Sequence, residues 1–208
     1  MGKSPLIWFV LILLAVFALT LMAPLEKTLG AQARIVYLHG AWVWVAMLYF
    51  LAASMLGLLG LITQRSSLHH WSLALGRTGL LFWLTFLLMS LYVMQANWNG
   101  LFLDEPRFRI PLNFAIVGLL LQAGLSFFTA SNWTSLANLV FGIVLFIGVG
   151  NTQAVLHPDS PIFNSSSRDI QVFFAAMILL LALAAWQMAR AWLACETKRR
   201  GNSKSNGS

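Results

Sequence analysis

Charged residues are scarce in this chain of 208 residues. Asp, Glu, Lys and Arg together make up 9% of it, against roughly 25% in a typical soluble domain. Hydrophobic residues make up 59%, and the mean hydropathy is +0.78. This number of charges is too small to cover a water-exposed surface. The composition therefore excludes an ordinary soluble domain and indicates an integral membrane protein.

Cysteine and acidic residues are also rare. The single cysteine, Cys195, excludes an internal disulfide and a thiol pair for redox exchange. Only Arg77 and Arg190 carry charge within the long apolar runs, both toward the same side, and no paired carboxylates lie there. This scarcity disfavours a proton or ion pathway through the membrane. The chain also has no glycine-rich phosphate-binding loop and no Ser-His-Asp order that indicates a hydrolase.

Long apolar runs are what the chain does have. Six of them approach the ~20 residues that a helix needs to cross the ~30 Å hydrocarbon core. They extend over about Pro5–Ala23, Leu38–Thr63, Ser72–Gln95, Ile110–Ala130, Trp133–Gly150 and Ile170–Ala194. The first is longer than the apolar part of a secretory signal, and Ala23-Pro24 makes a poor cleavage site. The sequence therefore predicts an all-α, polytopic membrane domain of six transmembrane helices over residues 1–196.

Basic residues predict the orientation of these helices. Lys3, Arg65 and a basic tail fall on one side of a six-helix topology, so the positive-inside bias places both termini in the cytoplasm. The surplus of 13 Lys and Arg over 6 Asp and Glu is then a topology signal and not a nucleic-acid patch. Residues 197–208 are predicted to form a basic, disordered cytoplasmic tail. The outward connections are residues 24–37, 96–109 and 151–169.

Two histidines fall at the outer boundary of this topology. His39 lies at the start of the second run, and His157 lies in the last outer connection. Neutral imidazole is a good iron ligand, and haem leaves two axial positions for protein groups. The pair therefore predicts bis-histidine ligation of haem b, although an interfacial polar role beside a helix also fits each histidine. His69 and His70 are predicted to lie in a water-exposed cytoplasmic turn.

The middle outer connection has an unusual composition. From Asn97 to Arg107 it is first aromatic and apolar, then charged. An apolar outer loop is expected where the loop lies on the membrane or on a flat ligand. Trp98 and Phe102 could stack on such a ligand, or belong to the ordinary aromatic belt. Three outward arginines could bind haem propionates through charge-assisted hydrogen bonds. They are Arg34, Arg107 and Arg109.

The segment Arg34-Ile35-Val36-Tyr37-Leu38-His39, followed by Trp44, resembles the first histidine motif of the CcmC family of cytochrome c biogenesis proteins. Leu156-His157 is similar to the second histidine motif of that family. The family carries a loop of the form W-x-x-W-W-x-W-D-x-R between the two histidines. The matching positions in this chain are Trp98, Phe102 at an internal Trp, Glu105 at the Asp, and Arg107 at the Arg. Most of the other tryptophans are replaced, for example by Leu101 and Asp104.

The resemblance implies a haem carrier of the cell inner membrane and not an enzyme. His39 and His157 would be the axial ligands, Trp98 and Phe102 the stacking face, and Arg107 and Arg34 the propionate contacts. It also implies transfer of haem to a periplasmic haem chaperone and association with ABC transporter subunits. Two alternatives stay open, a redox or sensory subunit that keeps haem b, and a structural or assembly subunit without haem.

Overall fold

A computed structural model describes residues 4–127, 131–152 and 162–205, with side chains described to residue 196. These ranges form six helices, α1 (Pro5–Leu21), α2 (Ala33–Thr63), α3 (Ser66–Trp98), α4 (Pro106–Ser126), α5 (Asn132–Gly150) and α6 (Arg168–Ser205). Helices α2 to α6 are long and apolar enough to cross a membrane, whereas α1 is shorter, with 17 residues. Apart from a single isolated bridge between Glu26 and Gly30, no β-structure occurs in the described ranges. The predicted all-α membrane fold is confirmed.

Several helices extend beyond the apolar runs that predict them. α2 begins at Ala33 and α3 at Ser66, so His39 lies inside a helix and not at its first residue. α6 continues to Ser205, into the tail for which the sequence predicts disorder. Hydropathy locates the part of a helix that suits hydrocarbon, while backbone hydrogen bonding continues through the polar residues of the interface. The sequence-based boundaries are therefore short at these helix ends, whereas the first and fourth predicted runs extend past Leu21 and Ser126, where α1 and α4 end.

The antiparallel hairpin of α2 and α3 is the centre of the bundle. α5 packs against both of these helices, and α6 packs against α1, α2 and α3. α4 lies at the edge, against α3 and α5. Within the described residues, α6 packs against neither α4 nor α5. The core is aromatic at the hairpin, where Phe50 packs edge-on against Trp83 with ring centroids 6.0 Å apart.

A buried cluster of polar side chains joins α2, α3, α4 and α5. Asn138 Nδ2 donates to Ser72 O and lies 3.1 Å from Ser72 Oγ, and Asn138 Oδ1 accepts from Gln122 Nε2 at 3.0 Å. Ser54 Oγ donates to the Asn138 carbonyl at 3.0 Å. Gly142 lies so close to Ser54 that an added Cβ would clash with the serine oxygen. Interhelical hydrogen bonds and small residues are the usual means of holding membrane helices together.

His69 belongs to this internal packing and not to a solvated turn, so that prediction is wrong. Its side chain is 5% exposed, and Nδ1 lies 2.6 Å from Ser135 Oγ on α5. The ring occupies the space over Gly60 of α2, where a Cβ would come within 2.9 Å of Nδ1. Because Ser135 is 66 residues away in the chain, local sequence carries no sign of the contact.

An ion pair connects α3 to α6 near the same end of the bundle. Arg77 Nη1 lies 2.5 Å from Glu196 Oε1, and both side chains are about 15% exposed. The guanidinium also lies 5.6 Å from the ring centroid of Trp192. The charge of Arg77 is therefore balanced inside the helix bundle, as an arginine near a membrane span requires.

Candidate functional site

One face of α2 lines a cavity of about 460 Å³. The face consists of Val36, Gly40, Val43 and Met47, which recur at helical spacing, with His39 beside Gly40. Residues three and four apart share a helix face, so this alignment follows from the sequence once the helix is known. Gly40 lets α6 pack closely against this face of α2. An added Cβ at this position would lie 3.3 Å from the ring of Phe174 on α6.

The opposite wall is the last part of α3. Phe86, Ser90, Met94 and Trp98 recur at intervals of four residues and all line the cavity. The rings of Phe86 and His39 lie 4.9 Å apart between centroids, tilted by 33°. The imidazole therefore lies against an aromatic face, which restricts its orientation.

The start of α4 forms the polar rim of the cavity. Pro106 occupies the first turn, where its missing N–H costs nothing, and Glu105 precedes it as the N-cap residue. Glu105, Arg107 and Phe108 line the cavity, and Glu105 is only 6% exposed. An acidic and a basic side chain thus occur on one side of an otherwise apolar wall.

The remaining wall comes from α5 and the residues before and within α6. Val149, Gly150 and Thr152 line it at the end of α5, and Ile162, Phe163 and Phe174 line it on the other side. The end of α3, the start of α4, the end of α5 and the start of α6 therefore meet at one end of the bundle. This agrees with the prediction that the outward connections share one side of the membrane.

The cavity extends far from this rim. Met47 lies eight residues beyond His39 on α2, which corresponds to about 12 Å along a helix axis. The lining near Met47 is apolar, with Val43 and Trp44 beside it. The shape therefore suits an amphipathic ligand, with its charged groups at the rim near Arg107 and its apolar part inside the bundle.

Four of the predicted site residues line this cavity, namely His39, Trp98, Glu105 and Arg107. Phe102 does not line it but packs edge-on against Trp98, with ring centroids 6.2 Å apart. Arg34 lies outside the lining, as does Arg109, which is 67% exposed and 4.0 Å from Asp104.

The predicted second ligand, His157, lies outside the described residues. The described chain on either side of it ends at Thr152 and resumes at Ile162, and both of these residues line the cavity. Two methionines that the sequence analysis did not single out, Met47 and Met94, also line it. Their spacing with His39 and Trp98 on single helix faces is the signal that could have identified them.

Glu26 is a further outer carboxylate, but it is engaged in its own turn. Its Oε2 accepts hydrogen bonds from the backbone N–H groups of Leu29 at 2.8 Å and Thr28 at 2.7 Å. These bonds, with that of Leu29 first, lower the pKa of the Glu26 carboxyl below its ordinary value. Glu26 therefore organises the connection between α1 and α2 and does not line the cavity.

The residues present fit a haem group by size and chemistry. About 460 Å³ falls within the roughly 300–1,000 Å³ of pockets that enclose small molecules and cofactors. His39 supplies an imidazole, Arg107 a cation for a carboxylate, and Phe86, Phe108 and Trp98 supply aromatic surface. In the described residues, no group of three or more His, Cys, Asp or Glu side chains is arranged to hold a metal ion directly.

No protein-family model matches the chain, and no curated protein matches it.

Proposed function

We propose that this protein handles haem in the cell inner membrane, holding haem b in the cavity at the outer end of the bundle. His39 and His157 would hold the haem iron. Arg107 binds a propionate, and Trp98, packed against Phe102, covers the rim. The protein is a carrier, not an enzyme.

A single observation carries the proposal. Four residues chosen from sequence alone line one cavity, although they come from different helices. His39 lies on α2, Trp98 on α3, Arg107 on α4, and Glu105 is the N-cap residue of α4. The cavity also has the polarity that haem requires, with a charged rim and an apolar interior. An interfacial role for His39 gives no reason for an imidazole to lie 4.9 Å from Phe86 and to face a space of this size.

The chain supports ligation in three ways. Phe86 orients the His39 ring, Arg107 offers a planar cation at the rim, and the aromatic lining excludes water from the bound face. Haem iron with imidazole ligands supplies reversible one-electron chemistry when bound. A carrier uses only the binding, and two neutral imidazoles permit release.

The direction of transfer follows the topology predicted from the basic residues. With both termini in the cytoplasm, the cavity end of the bundle faces the periplasm. Haem is then available to a periplasmic haem chaperone, and ABC transporter subunits are the expected membrane partners.

A second function, a redox or sensory subunit that keeps its haem, is favoured by the depth of the cavity. Met47 lies about two helical turns inside the rim histidine, so the cavity reaches further into the bundle than brief presentation at the surface requires. A haem held at that depth exchanges slowly, whereas a carrier releases its haem to an acceptor.

Absorption spectra of the purified protein, oxidised and reduced, test the proposal. We expect a low-spin haem signal in the wild type that is lost or shifted in His39→Ala and in His157→Ala. His70→Ala is the matched control, because His70 does not line the cavity and its Nδ1 lies 2.5 Å from Ser66 O on its own helix. A wild type that stays free of haem after supplementation contradicts haem handling and leaves a structural subunit.

Transfer to excess apomyoglobin then separates the two haem functions. A carrier loses its haem to the acceptor within the experiment, whereas a redox or sensory subunit retains it.

A further inference from the structure

The cavity wall is thin on one side. Trp44 of α2 and Phe163 both line the cavity, and they are 45% and 47% exposed. Their rings meet edge-to-face with centroids 5.5 Å apart. Most of the other lining residues are buried or half-buried, for example Phe86, Phe108 and Phe174. At this place a single layer of aromatic side chains separates the cavity from the outside.

The outside at this place is the lipid. Trp44 begins a stripe of exposed apolar residues at helical spacing along α2, continuing through Leu48, Leu51 and Met55. A stripe of this kind on a membrane-spanning helix faces hydrocarbon. Trp44 therefore belongs to two rows of α2, the lipid-facing stripe and the face that lines the cavity.

The described helices that contribute to the lining near Trp44 are α2, α5 and α6. α5 and α6 both pack against α2, but within the described residues they do not pack against each other. Val149 and Gly150 of α5 line the cavity, as does Phe163. Phe163 is supported by Phe174, with ring centroids 5.4 Å apart.

We propose that the ligand enters the cavity sideways from the lipid bilayer by displacing the contact between Trp44 and Phe163. The ligand class is an amphipathic molecule that dissolves in the membrane and has an anionic end for Arg107. The identification of that ligand as haem rests on the proposed function, whereas the route does not.

Labelling of a cysteine inside the cavity tests the route without haem. The reporter is Ser90→Cys, nearly isosteric and 8% exposed, in a Cys195→Ser background reconstituted into vesicles. Its rate of reaction is measured with a membrane-soluble maleimide and with a charged maleimide confined to water. Trp44→Ala and Phe163→Ala are compared with Leu48→Ala, which lies one turn along the same lipid-facing stripe and does not line the cavity.

We expect Trp44→Ala and Phe163→Ala to raise the rate at which the membrane-soluble reagent labels the cysteine by about two- to tenfold. This factor is the interaction energy of one aromatic pair expressed as a change in rate. The rate with the charged reagent and both rates in Leu48→Ala should not change. An equal acceleration with both reagents overturns the proposal, because it shows general loosening of the bundle. An unchanged rate in Trp44→Ala overturns it as well.

A second reporter, Val43→Cys, lies next to the contact and lines the cavity. If neither reporter reacts with the membrane-soluble reagent, even with Trp44 or Phe163 replaced, the lateral route is wrong. Because no haem is present, these results are independent of the spectra that test haem handling. A protein that binds no haem but shows the expected labelling retains the lateral route for another amphipathic ligand.

Discussion

The rings of His39 and Phe86 lie with their centroids 4.9 Å apart and their planes 33° from parallel. This contact joins the cavity face of α2 to that of α3, and it presents the only described histidine of the cavity on a rigid aromatic support.

Phe86→Leu should weaken haem binding without abolishing it. The aromatic support of His39 is worth about 0.5–1.5 kcal/mol, which corresponds to a loss of about two- to tenfold in affinity. Titration of the purified protein with haemin measures the change. Phe82→Leu is the matched control, because Phe82 is one turn away on α3, stacks on Trp42 and does not line the cavity. Equal losses in the two variants would remove the special role given to Phe86.

Arg107→Gln should weaken haem binding more than Arg109→Gln. Arg107 lines the cavity, whereas Arg109 is 67% exposed outside it. A charge-assisted hydrogen bond to a propionate contributes about 1.5–3 kcal/mol, so the dissociation constant should rise by about ten- to a hundredfold. Haem whose propionates are esterified should bind the wild type and Arg107→Gln with similar affinity. A difference that persists with the ester would place the effect elsewhere.

Gly142→Ala should destabilise the bundle by about 1–3 kcal/mol, since the added methyl group has no room beside Ser54. The free energy of unfolding in mild detergent, measured by titration with a denaturing detergent, gives the value. Gly124→Ala is the control, with nothing within 4 Å of the added Cβ. In the double variant Ser54→Gly/Gly142→Ala much of the loss should be recovered. A loss in Gly142→Ala no larger than in Gly124→Ala would contradict the close packing of α2 on α5.

Arg77→Leu should be more harmful than Arg77→Leu combined with Glu196→Leu. The single change leaves the partner carboxylate, only 16% exposed, without its cation, at a cost of about 1–3 kcal/mol. Replacing both partners by apolar side chains removes that penalty. The same detergent titration, carried out on both variants, distinguishes the two. Additive losses would indicate that the ion pair contributes little to the contact between α3 and α6.

Much of the fold could be predicted because hydrocarbon imposes a length on every spanning helix. The apolar runs locate α1 to α6. Because successive spanning helices run in opposite directions, their order places His39, Trp98, Glu105 and Arg107 at one end before any contact is known. Helix ends are less predictable, since polar residues such as His69 can continue a helix in which they are buried. The burial of His69 depends on Ser135 of α5, which no local pattern indicates.

The sequence by itself determined that this is an all-α membrane protein, because helix length and apolar content are local properties. Tertiary structure decided which of those residues line one cavity, how deep that cavity runs, and that Trp44, which lines it, meets Phe163 edge-to-face. The physical reason is that lateral packing depends on close contacts between helices far apart in the chain, such as Gly142 against Ser54. Those contacts, and not hydropathy, set which faces of α2 and α3 enclose a space.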